Sequence, residues 1–85
     1  MHHLLLVEDA ALAGNSLYQT LADDTCTITL VHTPQKISAE MSARWPDLVI
    51  LNMQGGNLNF AEVNRAITQT RLNIPRLAVA AGGGA

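Results

Sequence analysis

An α/β fold built on a parallel sheet is what this sequence predicts, on three observations. The run Leu48-Val49-Ile50-Leu51 is apolar without alternation, the pattern of a strand buried on both faces beneath helices. Short apolar or β-branched runs take turns with stretches of helical spacing, so the elements read β-α-β-α-β-α-β and imply right-handed crossovers. Of the 85 residues, 48% are hydrophobic and only 14% charged, a composition rich in core-formers for one small domain. Residues 1–85 are expected to form that single domain, with the glycine-rich 81–85 as a flexible tail.

The elements follow in order. His3 to Val7 is a short apolar run stopped by Glu8-Asp9 and reads as strand one. From Ala10 the spacing turns helical, with Ala10, Ala13 or Gly14, Leu17, Tyr18 and Leu21 on one face. Asp9 suits the N-cap of that first helix, and Asp23-Asp24 ends it. Gly14 costs the helix roughly 1 kcal/mol against Ala unless it allows close approach to the sheet. Thr25 to Val31 alternates Thr25, Thr27 and Thr29 with Cys26, Ile28 and Leu30, so strand two has one polar face and suits a sheet edge.

Thr33 and Pro34 open a second helix as cap and first helical residue. Ile37, Met41 and Trp45 recur along it at spacing four, and Pro46 stops it. Asp47 to Asn52 is strand three. After the Gly55-Gly56-Asn57 loop, Phe60, Val63 and Ile67 mark a third helix running to about Arg71. Asn73-Ile74-Pro75 is a turn, and Arg76 to Ala80 is strand four, whose Leu77-Ala78-Val79-Ala80 reads as an internal strand.

Composition also narrows function. A formal charge of −2 offers no basic patch, so direct nucleic-acid binding is not expected. The single cysteine, Cys26, cannot form an internal disulfide, and a reducing cytoplasm is the expected compartment. The apolar run after Met1 is far shorter than a membrane span and is followed at once by acids, so neither a signal peptide nor a membrane anchor is expected.

Chemistry in an open parallel sheet sits at the carboxyl ends of the strands. Three such ends converge here: Glu8-Asp9 after strand one, Asn52 after strand three, and Ala80-Ala81 after strand four. Two adjacent carboxylates are a candidate site for a hard cation such as Mg²⁺. On these two residues alone the plainer reading is that Asp9 caps the helix and Glu8 is solvated.

The blocks Leu4-Leu5-Leu6-Val7-Glu8-Asp9 and Pro46-Asp47-Leu48-Val49-Ile50-Leu51-Asn52-Met53, with Leu12, Leu17 and Leu21 between them, resemble the receiver domain of bacterial response regulators. The resemblance spans essentially the whole chain. It implies a flavodoxin-like open sheet of strand order 2-1-3-4, lacking the final helix–strand–helix of the family. In that family a histidine kinase's phosphoryl group passes to an aspartate ending strand three. Mg²⁺ is held by that aspartate, by an acid after strand one, and by a backbone carbonyl two residues past the acceptor. By resemblance Asn52 falls on the acceptor, Glu8 and Asp9 on the acidic pair, Gln54 on the metal-binding carbonyl, and Ala80 on the switch Thr or Ser.

The departures from the family bear on the phosphotransfer chemistry. An amide at Asn52 is a poor nucleophile, Ala80 has no hydroxyl, Gly56 stands where the family usually has Pro, and Phe60 where it usually has Gly. The resemblance therefore implies a pseudo-receiver, not an enzyme, with weak or vestigial Mg²⁺ binding through Glu8, Asp9, Asn52 and Gln54 and no other cofactor. Its partners would be proteins: a histidine kinase, or the output domain of a parent protein. Strand four as an unpaired apolar edge further implies a homodimer or a fragment of a longer chain. Two alternatives stay open, a phosphorylatable receiver whose acceptor was changed to Asn, and a small α/β ligand-binding or enzyme domain. Against dinucleotide binding, no glycine-rich turn follows strand one, and Glu8-Asp9 would repel a pyrophosphate.

The remaining chemistry-bearing residues have plain readings. His2 and His3 are adjacent in a strand and point to opposite faces, so joint metal ligation is not expected; an ordinary start or a tag remnant fits them. His32 reads as a surface residue, Cys26 as a small core residue, and Trp45 as cover for the sheet's edge. Gly82-Gly83-Gly84 is no phosphate loop, because no Lys-Ser/Thr and no helix follow it.

Overall fold

A single four-stranded sheet, all parallel and ordered β2-β1-β3-β4, organises the protein. The structure, a computed structural model, describes residues 2–54 and 57–79, with the backbone alone at 13–15. The strands are β1 (His2–Glu8), β2 (Cys26–Val31), β3 (Leu48–Asn52) and β4 (Arg76–Val79). Order and direction agree with the α/β expectation, and β1 and β3 take the two central places.

In-register partners share a face, so the registers define both sides of the sheet. On one side Leu5 and Val7 of β1, Val31 of β2, and Val49 and Leu51 of β3 form the core with Ile74 and the helices. Those helices are α2 (Ile37–Ala43), through Ile37 and Met41, and α3 (Phe60–Thr70), through Val63 and Ile67. Asn59 caps α3, its side-chain oxygen accepting from Glu62 N–H at 3.0 Å. The other side carries Leu6 and Ile50, both buried, with Glu8 and Asn52. Toward its margins Leu30 is 36% and Leu77 55% exposed.

Arg76 fastens β4 to α3. Its guanidinium donates to Asn64 Oδ1 at 2.7 Å, to Thr68 Oγ1 at 2.9 Å and to the Leu72 carbonyl at 3.2 Å. The planar fork reaches all three at once from two nitrogens held in fixed geometry. Arg71, at the end of α3, lies over the Trp45 ring at 5.3 Å from its centroid.

Several expectations are corrected. The predicted first helix is not continuous: a 3₁₀ turn (Ala10–Asn15) gives way at Ser16 to extended backbone, and only α1 (Tyr18–Leu21) follows. The break comes where Glu8 draws in the Ser16 hydroxyl and Leu17 N–H, donors that a continuous helix would turn along its own axis. No residue of α1 is fully buried, and Tyr18 is 39% exposed while Leu17 and Leu21 are half-buried, so the apolar face expected from Leu17, Tyr18 and Leu21 is only partly covered.

The second helix begins as a 3₁₀ turn (Pro34–Lys36), and Thr33 sits before it without a side-chain cap bond. It ends at Ala43, so Trp45 is not on it and stays half exposed. Arg44 is already extended, and Trp45, preceding Pro46, is itself disfavoured from helical backbone. Phe60 opens α3 but remains half exposed. Strand four is a sheet margin whose Leu77 faces solvent, not an internal strand. Ala80, expected to end that strand, lies outside the described residues, as do Gly55, Gly56 and the glycine tail.

Candidate functional site

Glu8 and Asn52 are in-register partners at the carboxyl ends of the two central strands. Strand spacing brings such side chains together on one face. Asn52 is fully buried and Glu8 only 1% exposed, which corrects the reading of a solvated Glu8. A buried carboxylate is tolerated only where its lone pairs are met by donors, and here they are.

Glu8 Oε1 accepts the Ser16 hydroxyl at 2.5 Å. Its Oε2 accepts Leu17 N–H at 2.7 Å and the Asn52 side-chain NH₂ at 2.9 Å. The Asn52 oxygen in turn accepts Gln54 N–H at 3.3 Å. That pairing fixes which way the amide points, since only the NH₂ can face a carboxylate and only the oxygen can face an N–H. The amide is thus a donor to Glu8, a role no ionised aspartate could fill.

Asp9 does two jobs beside it. Its Oδ1 accepts Ala11 N–H at 3.0 Å, capping the 3₁₀ turn as expected, and its Oδ2 accepts Asn57 N–H at 3.0 Å. The bond from Ala11, with Asn57 adding to it, holds the Asp9 carboxyl below its ordinary 3.8 against a smaller opposing effect of burial. His32 is exposed, as expected, yet its ring nitrogen Nδ1 lies 3.0 Å from the Glu8 carbonyl and ties the end of β2 to the end of β1.

Glu8, Asp9, Asn52 and Gln54 are therefore brought together, while Ala80, matched by resemblance to the switch residue, lies outside the described residues. As a Mg²⁺ site the arrangement does not fit. Every side-chain oxygen of Glu8, Asp9 and Asn52 already accepts a protein hydrogen bond, and the Asn52 NH₂ projects at the carboxylate a cation would need. Among the described residues no three or more of His, Cys, Asp and Glu are grouped to hold a metal ion. None of their buried side-chain polar atoms lacks a partner.

A cavity among the described residues lies apart from these groups. It is an open hollow of about 160 Å³ between the Pro34–Lys36 turn and α3, lined by Gln35, Glu62, Arg65 and Gln69 among others. Cys26 is half buried at the margin of the sheet.

Three contributors escape the sequence reading: Ser16, Leu17 and Asn57. For Ser16 and Leu17 a signal exists, since Gly14-Asn15-Ser16 is a breaker cluster inside a helical pattern. Asn57 and its Asp9 bond follow from loop closure, which no local pattern encodes. His3 is not an ordinary chain start: it is buried and hydrogen-bonded to β2. His2, its neighbour, is exposed, as opposite faces require. No helix among the described residues is long and apolar enough to cross a membrane. Compared with protein families, with curated proteins and with solved structures, the chain finds no match.

Proposed function

We propose that this protein is a degenerate receiver-like signalling module of flavodoxin-like type that works by protein contact and not by phosphoryl transfer. The observation that carries this reading is the bond from the Asn52 amide to the buried Glu8 carboxylate. In the receiver arrangement a carboxylate at that position carries the phosphoryl group and helps hold Mg²⁺. Here an amide faces the acid and neutralises nothing, while the Ser16 hydroxyl and Leu17 N–H also donate to it. The strand-end cluster then serves as an internal clasp that shapes the loop after β1, and the protein is not an enzyme.

On this reading the partners are a histidine kinase or the output domain of a parent protein in a cytoplasmic two-component pathway, with no direct contact to nucleic acid. The half-exposed Leu77 on the marginal strand β4 supports pairing with a second copy or with another part of a longer chain.

Incubation with acetyl phosphate and Mg²⁺ followed by intact mass spectrometry tests the reading. The expected result is no phosphoryl adduct. An adduct mapping to Asn52, Glu8 or Asp9 would overturn it and favour a working phospho-receiver.

A further inference from the structure

At the opposite end of the sheet from Glu8, His3 is buried at 5% exposure in the first turn of pairing between β1 and β2. Its ring is held on both nitrogens by hydroxyls of the neighbouring strand: Nδ1 lies 2.9 Å from Thr27 Oγ1 and Nε2 lies 3.2 Å from Thr29 Oγ1. A neutral imidazole carries one donor and one acceptor, and a hydroxyl can be either, so the two threonines satisfy it in either tautomer. The backbone of the same residue is clasped from the other side. His3 N–H donates to Asp47 Oδ2 at 2.8 Å, and Asp47 N–H donates to the His3 carbonyl at 2.7 Å. His3 thus joins three segments at one point: the start of β1, the marginal strand β2, and the turn leading into β3.

We propose that His3 is a pH-sensitive staple: neutral, it holds the amino-terminal half of β2 to β1, and its protonation in mild acid loosens that strand. A charge on this ring would have to be buried between two uncharged hydroxyls. The charged groups that face it divide. Arg44, from the end of α2, opposes protonation, while Asp47, largely exposed, favours it. His2, on the same strand, is exposed and its ring lies 3.8 Å from Asp47, so it draws on the same carboxylate. Burial first, and Arg44 second, lower the His3 pKa from its ordinary 6.5 against the contributions of Thr27 and Asp47.

The direction of the pH effect follows. With the folded value below the unfolded one, the unfolded chain takes up the proton first as pH falls through 6.5. The contribution of His3 is whole above that pH and is lost progressively as pH falls from 6.5 toward the folded value. Because β2 is a margin of the sheet, the loss is local before it is global.

The test is residue-resolved NMR on the intact protein between pH 7.5 and about 5, the range in which an imidazole changes charge. Ring resonances report the titration of His3 separately from His2 and His32, and amide exchange, corrected for intrinsic rates, reports the hold on each strand. The expected result is a His3 midpoint below the ordinary 6.5, with exchange at Cys26 to Thr29 accelerating several-fold as His3 titrates and β3 unaffected. His3→Gln keeps a donor and an acceptor but cannot titrate, so exchange in β2 should become pH-independent over this range. Unchanged β2 protection in the wild type while His3 titrates would overturn the proposal, as would the same pH dependence in His3→Gln. Should His3→Gln fail to fold, the wild-type titration decides alone. Its outcome is independent of whether Asn52 accepts a phosphoryl group.

Discussion

The Asn52 side-chain NH₂ donates to Glu8 Oε2 at 2.9 Å across two paired central strands, and both residues are buried. Placing a carboxylate there by Asn52→Asp would set two like charges at that distance. One of them would then hold its proton to unusually high pH. We expect the substitution to destabilise the fold at neutral pH by about 3 kcal/mol, the order seen when a buried charge loses its partner. The loss should shrink as pH falls and the shared proton returns, and it should shrink in part with millimolar Mg²⁺. Urea melts at pH 5 and 8, with and without the cation, give the comparison. A variant as stable as the wild type at pH 8 would show that the pair is not closed.

Mg²⁺ should bind the wild-type protein weakly or not at all near neutral pH, because binding would break several hydrogen bonds to Glu8, Asp9 and Asn52. Calorimetry is the suitable measurement. Trp45 would be a poor reporter, since it precedes β3 whereas Asn52 ends that strand. Submillimolar affinity that disappears in Asp9→Ala would favour a functioning metal site.

Ser16 stands at the break between the 3₁₀ turn and α1, donating to Glu8 and accepting from Tyr18 N–H at 3.0 Å. Ser16→Ala removes both bonds and should cost about 2–3 kcal/mol, since the one to the buried carboxylate is charge-assisted. Faster amide exchange should be confined to the segment after β1. Unchanged exchange at Leu17 and Tyr18 would mean that Glu8 does not organise that segment.

The marginal strand β4 leads to a prediction about assembly. The 85-residue chain is expected not to behave as a stable monomer: it should self-associate through β4 or exchange segments with a second copy, unless it is part of a longer chain. Light scattering and denaturant melts at several concentrations should reveal this, and Leu77→Lys should weaken the association, since a charge on an edge strand discourages pairing. A monomer with a cooperative, concentration-independent transition in the wild type would count against it.

How far the chain can be read without coordinates varies by element. The run Leu48 to Leu51 is legible because a strand buried on both faces cannot alternate. Val63 and Ile67 are legible because α3 is long enough for its spacing to show. The first helix misleads, since spacing alone ignores what Glu8 does to Ser16 and Leu17. Phe60 and Trp45 mislead for a related reason: each falls in phase with a helix but at or beyond its end, where it stays half exposed. At the candidate site the residues are legible but their states are not. That Glu8 is buried, and that Asn52 turns its NH₂ inward, follow from a register between positions 44 apart in sequence.

That separation also bears on how the chain reaches its fold. No strand pairs with its neighbour through a hairpin; even β1 and β2 meet across 24 residues at His3 and Thr27. Sheets assembled only from distant pairings form slowly, because each closure loses chain entropy before contacts compensate. During synthesis, at roughly 5–20 residues per second, β1 is made before both its neighbours and waits for them. Glu8 finds Ser16 and Leu17 almost at once but lacks Asn52 until β3 is made. The centre of the sheet thus stays incomplete until β3 is made, and through that interval the apolar strand β1 is open to the wrong partner.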